Sequence, residues 1–394
     1  MTDNFYPMLG GMIVFIERLA LSLKNRGHLV LIMAPSKQFF KKTYYHKGIK
    51  VFGLPSIPTW VYKNMYITYP FFMNKLIREA IVEFNPDVIH IQSHFIVAKP
   101  VLRVAREMSI PTIGTIHFMP ENMMPHLHFP NFAESKVRKQ IWKKLFKVYE
   151  QFDLTTVPTK TAADCVINNG FSKNALVISN GIDLKEFNPK NKGDYLRKRY
   201  GIPANPIILY VGRLDKEKNL DKILIALSYV LKKIDIHFVI AGGVGSQAKY
   251  LKYLAKSLRL DKFVTFTGYV SSKNLPNLYS VANCFVIASS AELQSIATME
   301  AMASGKPVIA ANCMALPELV KHNVNGFLFE PSDTTSLADY IFNIISNEKL
   351  QKEMSAKSME IIKKHDIKKI IDKYESLYQS LIKTGSNNNG ICYK

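Results

Sequence analysis

The sequence predicts an α/β protein made of two doubly wound domains. Three observations lead there. Short apolar runs of strand length alternate with longer stretches of helical periodicity, which is the pattern of parallel strands covered on both faces. The alternation fills the first half of the chain and is then repeated through the second. Finally, 394 residues with 47 % hydrophobic composition are enough for two cores of ordinary size.

The chain opens MTDNFYPMLGGM, so Gly10 and Gly11 stand directly before a helical pattern of Ile13, Ile16, Leu19, Ala20 and Leu23 that ends at Gly27. A glycine loop feeding a helix start is an anion cradle, because absent side chains let backbone N–H groups come close to a diphosphate. Strands are expected at 29–33, 49–54, 87–91, 112–116, 154–157 and 175–179. The second half should hold strands at 207–211, 236–241, 263–267, 284–287 and 308–310, with helices from about 219, 247, 274, 294 and 333. The last residues, TGSNNNGICYK, have no apolar pattern and are expected to form a loose tail over 384–394.

No apolar run approaches membrane-spanning length and the N-terminus lacks a signal-peptide pattern, so a cytoplasmic protein is expected. Cys165, Cys284, Cys313 and Cys392 form no C-x-x-C pair and read as reduced thiols. The net charge is +21, and residues 1–205 carry 28 Lys and Arg against 14 Asp and Glu. Such a field suits nucleic acid, an anionic membrane surface or an anionic substrate. No zinc spacing, helix-turn-helix word or RNP-like motif supports nucleic acid.

The chemistry concentrates in AELQSIATMEAMASGKPVIA, where Glu292 and Glu300 lie eight positions apart. A strand at 284–287 precedes them and a helix at 296–303 carries the second. In a strand–turn–helix unit the N–H groups of Gln294, Ser295 and Ile296 point out of the helix start, where the dipole favours a phosphate. Glu300, about two turns on, is placed to reach ribose hydroxyls. After the run ILYVG, Arg213 and Lys218 fall on a strand-to-helix loop where two cations can hold a leaving diphosphate.

Followed by LPELVKHNVNGFLFEPSD, this E-x7-E stretch resembles the retaining glycosyltransferases of family 4, which have the GT-B fold, and among them the enzymes that act on diacylglycerol. The resemblance implies two Rossmann-like domains facing a cleft, with Asn180-Gly181-Ile182-Asp183 at the junction. It divides the chain into an acceptor-side domain at 1–180, a nucleotide-sugar domain at 181–348 and helices at 349–383 that cross back to the first domain. In such a fold a strand precedes the Gly10-Gly11 loop, and that first strand is expected to be missing here. Arg213 and Lys218 match the family's G-R-x-x-x-x-K-N pattern and would hold the diphosphate. Glu292 would hold sugar hydroxyls, Val270 the nucleobase, and His117, in GTIHFMPENMMPHL, the donor sugar and the acceptor's proton.

The implied reaction moves a hexose from a nucleotide sugar, with UDP-glucose favoured, to a lipid such as diacylglycerol. No cofactor is implied, since the donor is a substrate, and the lack of any D-x-D pair argues against a metal-clamped diphosphate. Aromatic density at 59–73 and 118–132, with Lys136, Arg138, Lys139, Lys143, Lys144 and Lys147 around Trp142, suits the inner face of the cell membrane, while an amphipathic helix packed on its own sheet with its lysines in water fits the basic stretch equally well. A soluble or polysaccharide acceptor is the nearest rival, and an inactive binding relic a further one.

Overall fold

The computed structural model describes residues 1–59, 64–69, 73–122, 124, 131–243 and 245–388. The aromatic stretches expected at 59–73 and 118–132 lie partly outside these residues. The chain divides into two units, one of residues 1–180 with 368–394 and one of residues 181–367.

The first unit runs α1 (Gly11–Asn25), β1 (Leu31–Pro35), β2 (Lys42–His46), β3 (Ile49–Leu54), β4 (Ser56–Pro58), β5 (Tyr66–Thr68), α2 (Met73–Phe84), β6 (Ile89–Ile91), α3 (Ala98–Glu107), β7 (Thr112–Thr115), α4 (Asn131–Tyr149), β8 (Leu154–Val157), α5 (Lys160–Asn168) and β9 (Ala175–Val177). Helix α1 buries Ile13, Phe15, Ile16, Leu19 and Ala20, the face its periodicity marked. The strands form a sheet in the order β1-β3-β2 and another in the order β6-β7-β8-β9, the second wholly parallel.

No strand precedes α1 among the described residues. Residues 1–3 instead lie between the two sheets as a hydrogen-bonded stub: the Thr2 N–H donates to Met33 O at 3.0 Å and the Gln92 N–H to Met1 O at 2.9 Å. Buried Asp3 fixes the entrance to α3, accepting from the N–H groups of Phe95, Ile96 and Val97 at 3.0 Å each and from Ser93 Oγ at 2.7 Å. The expectation of a purely parallel sheet needs correction, because β2 runs antiparallel to β3. Lys47 and Gly48, at φ 48° and 74°, make the two-residue turn whose twist joins such strands.

Helix α4 decides between the two readings of its sequence. Trp142 is 2 % exposed, and its ring stacks on Phe146 at 5.1 Å, which meets Phe171 at 5.3 Å. Leu145 is buried beside them, while Lys136, Lys139, Lys143, Lys144 and Lys147 are exposed. The apolar stripe of this helix is core of its own unit, and the lysines face solvent.

The second unit continues with α6 (Asp194–Tyr200), β10 (Ile207–Val211), α7 (Leu220–Val230), β11 (His237–Ala241), α8 (Ala248–Ser257), β12 (Val264–Gly268), α9 (Leu275–Ser280), β13 (Cys284–Ile287), α10 (Ile296–Ala303), β14 (Val308–Ala311), α11 (Leu316–Leu319), β15 (Gly326–Phe329), α12 (Thr334–Ser346) and α13 (Glu348–Ile362). Its six parallel strands take the order β12-β11-β10-β13-β14-β15, so the winding reverses between β10 and β13. In open α/β sheets the crevice at such a reversal, outside the C-terminal strand ends, is where ligands bind. Helix α14 (Ile367–Asn388) closes the chain. The stretch expected to cross back at 349–383 divides: 349–367 stays with the second unit, and the first resumes at Lys368. Where a tail was expected from 384, the helix continues to Asn388, and residues 389–394 lie outside the description.

Candidate functional site

The loops leaving β10 and β13 flank the reversal and are tied together. The Ser290 N–H donates to Glu217 O at 3.0 Å and Asn219 Nδ2 to Ala288 O at 3.0 Å. Asn219 has φ 50°, a left-handed conformation that asparagine tolerates better than most residues, and it turns the chain from the loop into α7. Tyr210, 1 % exposed, donates its hydroxyl to Arg213 O at 2.7 Å and so fixes the start of the same loop.

The side chains on these loops form a connected ionic cluster. Arg213 Nη1 lies 2.5 Å from Asp215 Oδ2, and its Nη2 lies 3.1 Å from Glu217 Oε1. The same Glu217 oxygen is 4.0 Å from Lys218 Nζ, which pairs with Glu292 Oε1 at 2.8 Å. Ser289 Oγ stands 3.5 Å from that ammonium. The Lys218 and Glu292 side chains are 12 % and 15 % exposed, so their attraction is less screened than that of a surface pair.

The loop after β11 packs beneath. A Cβ at Gly242 would lie 1.9 Å from Gly212 O and one at Gly245 2.3 Å from the Leu214 carbonyl, so both places need glycine. The Ser246 N–H donates to Asp215 Oδ1 at 3.0 Å. This glycine loop is therefore a close-packed support for the Arg213 loop.

Ser295 caps α10, its hydroxyl accepting from the Thr298 N–H at 3.2 Å. That places Gln294, Ser295 and Ile296 at the helix start, one turn of chain from Glu292. Glu300, by contrast, sits inside, 4 % exposed, where Tyr279 donates its hydroxyl to Oε2 at 3.0 Å. Val270, 7 % exposed, follows β12 beside the outward-facing Tyr269, on the same C-terminal edge of the sheet.

The remaining candidates belong to the first unit. Gly10 caps α1, and a side chain there would meet no atom within 4 Å, so internal packing does not demand glycine at this place. Gly11 begins the helix. His117 follows β7, and its Nε2–H donates to Gln92 Oε1 at 2.7 Å. Burial pushes its pKa down to about 3. It is a neutral imidazole at working pH, suited to orienting a hydroxyl rather than protonating one. His90 is bonded to Tyr378 and Thr115 and serves the packing of α14 on β6.

These histidines have a consequence for stability. Burial lowers His90 well below its ordinary value and takes His94 to about 4. The unfolded chain binds these protons near pH 6.5 and the folded chain only far lower, so stability falls as pH drops from about 6.5 towards 4. Each such group contributes a slope of at most about 1.4 kcal/mol per pH unit. Urea unfolding at pH 7 and pH 5 should give a lower midpoint at pH 5, with a smaller drop in His94→Gln. Equal drops in both chains would remove His94 from the account.

Sequence reasoning selected Arg213, Lys218 and Glu292, and the structure brings those three together. It missed Asp215, Glu217, Asn219 and Ser289, which position them, although five of the six residues in LDKEKN being polar or charged was a signal. It also missed Tyr279 and Gln92, which come from distant segments.

Residues 194–360 match the family model described as glycosyl transferases group 1, and residues 9–186 match that of glycosyltransferase family 4. The alpha-monoglucosyldiacylglycerol synthase of Streptococcus pneumoniae is 28 % identical over 83 % of this chain and 74 % of its own. The GDP-mannose-dependent alpha-mannosyltransferase of Corynebacterium glutamicum is 26 % identical over 92 % of this chain and 83 % of its own. In fold, the chain is similar to sucrose-phosphate synthase from Thermosynechococcus elongatus, with a TM-score of 0.78 and 20 % identity, over 97 % of this chain and 95 % of that one.

Proposed function

Because the chain belongs to the group 1 and family 4 glycosyltransferases and is a retaining hexosyltransferase of GT-B fold, we propose that it moves glucose from UDP-glucose to a membrane lipid such as diacylglycerol. The observation that carries the chemistry is the Lys218–Glu292 pair, an amine for the diphosphate 2.8 Å from a carboxylate for sugar hydroxyls. Arg213 and Lys218 stabilise the charge that grows on the diphosphate as the glycosidic bond breaks. The N–H groups at the start of α10 assist, Glu300 takes the ribose and Val270 the base. The acceptor hydroxyl attacks from the face the diphosphate leaves and gives its proton to a phosphate oxygen. No side chain is then required as a nucleophile.

The lipid acceptor is supported by the name of the pneumococcal relative and by the excess of positive charge before residue 206. Reaction at a membrane surface follows from it. A soluble acceptor is the second reading, favoured by the burial of Trp142 in α4, which removes the apolar anchor expected there. GDP-mannose is the alternative donor, as for the corynebacterial relative.

A panel of labelled nucleotide sugars, with and without anionic liposomes containing diacylglycerol, decides among these. Organic-soluble product from UDP-glucose is the expected result. Water-soluble glycoside independent of liposomes moves the acceptor, and turnover with GDP-mannose alone moves the donor.

A further inference from the structure

The turn between β1 and β2 reads Lys37-Gln38-Phe39-Phe40-Lys41-Lys42. Phe39 is 61 % exposed and Phe40 80 %, and Tyr45 on the adjoining β2 is 72 % exposed. The backbone that presents these rings is held. Ser36 Oγ donates to Gln38 O at 2.9 Å, the Ser56 N–H donates to Gln38 O at 3.0 Å, and the Tyr69 hydroxyl donates to Phe39 O. Two adjacent phenylalanines on a fixed turn form an apolar projection of the kind that marks an interaction site.

The charges around it narrow the partner. Lys41 pairs with Glu79 at 2.9 Å, whereas Lys37 and Lys42 have no ion pair among the described residues. Rings flanked by unpaired ammonium groups match the interface of an anionic bilayer, where the rings reach the acyl boundary and the lysines meet the headgroups. Lys37, Gln38 and Lys42 also line a cavity of about 500 Å³, together with Tyr6, Tyr44 and His46. No carboxylate residue is among its lining residues. Glu17 is turned to His46 and to Lys47, 2.7 Å from it, and these contacts hold its carboxyl below the usual range.

We propose that this turn docks the chain onto an anionic phospholipid bilayer, with Phe39 and Phe40 inserted and Lys37 and Lys42 on the headgroups, so that the neighbouring cavity meets the lipid at headgroup level. The proposal rests on the lipid-acceptor reading above but is tested apart from it. It also relocates the membrane element from α4, whose apolar face is already covered.

The experiment is sedimentation of the full chain with vesicles of phosphatidylcholine, alone or mixed with phosphatidylglycerol. Phe39→Ser/Phe40→Ser should weaken binding to mixed vesicles on the order of tenfold or more, with donor hydrolysis in solution unchanged. Lys139→Gln/Lys143→Gln/Lys144→Gln should weaken it far less. In Phe40→Trp, mixed vesicles should shift the indole emission to the blue. Undiminished binding of the double variant, no shift of the indole, or equal binding to neutral vesicles overturns the proposal.

A lipid-transfer assay separates the two readings. Docking through Phe39 and Phe40 with transfer to soluble acceptors only would keep the docking and end the lipid-acceptor reading. Full transfer to diacylglycerol in vesicles by the double variant would do the reverse.

Discussion

Lys218→Ala should lower kcat by about 10²- to 10³-fold, equivalent to ~3–4 kcal/mol, the usual effect of removing one group that stabilises developing negative charge. Lys218 is the ammonium bonded to Glu292, and its removal also strands that carboxylate without its partner. Steady-state kinetics at saturating donor, beside a thermal melt, separate the effects. A fall in kcat with an unchanged melt assigns the lysine to the diphosphate. An unchanged kcat would remove Lys218 from the chemistry.

The second large effect concerns architecture. Trp142→Ala should cost ~3–5 kcal/mol of stability, because a 2 % exposed indole stacked on Phe146 leaves a cavity when truncated. Its Nε1–H has no hydrogen-bond partner among the described residues, so Trp142→Phe removes an unsatisfied donor with the lost volume and should cost less. Replacing Lys139, Lys143 and Lys144 by glutamine should stay within about 0.5 kcal/mol, as surface changes do. Urea unfolding of these variants is the measurement. An unaltered midpoint in Trp142→Ala with lost vesicle binding would restore α4 as the membrane anchor.

How far the sequence could be read followed the burial of each element. The strands at 207–211, 284–287, 49–54 and 154–157 are mostly buried and were legible to the residue. Strand β2 was not. All five of its residues, KTYYH, are polar or aromatic with a polar tip, and it lies at a sheet edge with three residues exposed, so tertiary pairing with β3 decides its conformation rather than an apolar code. The short β4–β5 pair escaped for the same reason, and β15 because its Gly326 start reads as a turn.

At the site, the cations and carboxylates were visible as a spacing, but which acid holds which base was not. Asp215 and Glu217 face inward on a loop that is tied to Ser246 and Ser290. The amphipathic stripe of α4 had two physical solutions, water-facing or core-facing rings. Only the packing of Phe171 against Phe146 chooses between them.

On the proposed function, the Lys218–Glu292 pair turns donor capture into a swap of anions at one ammonium. In the pair the carboxylate takes the place a phosphate oxygen would have, so the charge of the ammonium is already balanced. A bare diphosphate that evicts it leaves an 85 % covered carboxylate with nothing to bind, since the Glu292 side chain is 15 % exposed. A diphosphate that carries a sugar brings hydroxyls to satisfy it. Once the sugar has left, the displaced carboxylate competes for its amine again, and the spent nucleotide loses its hold at the moment it becomes product.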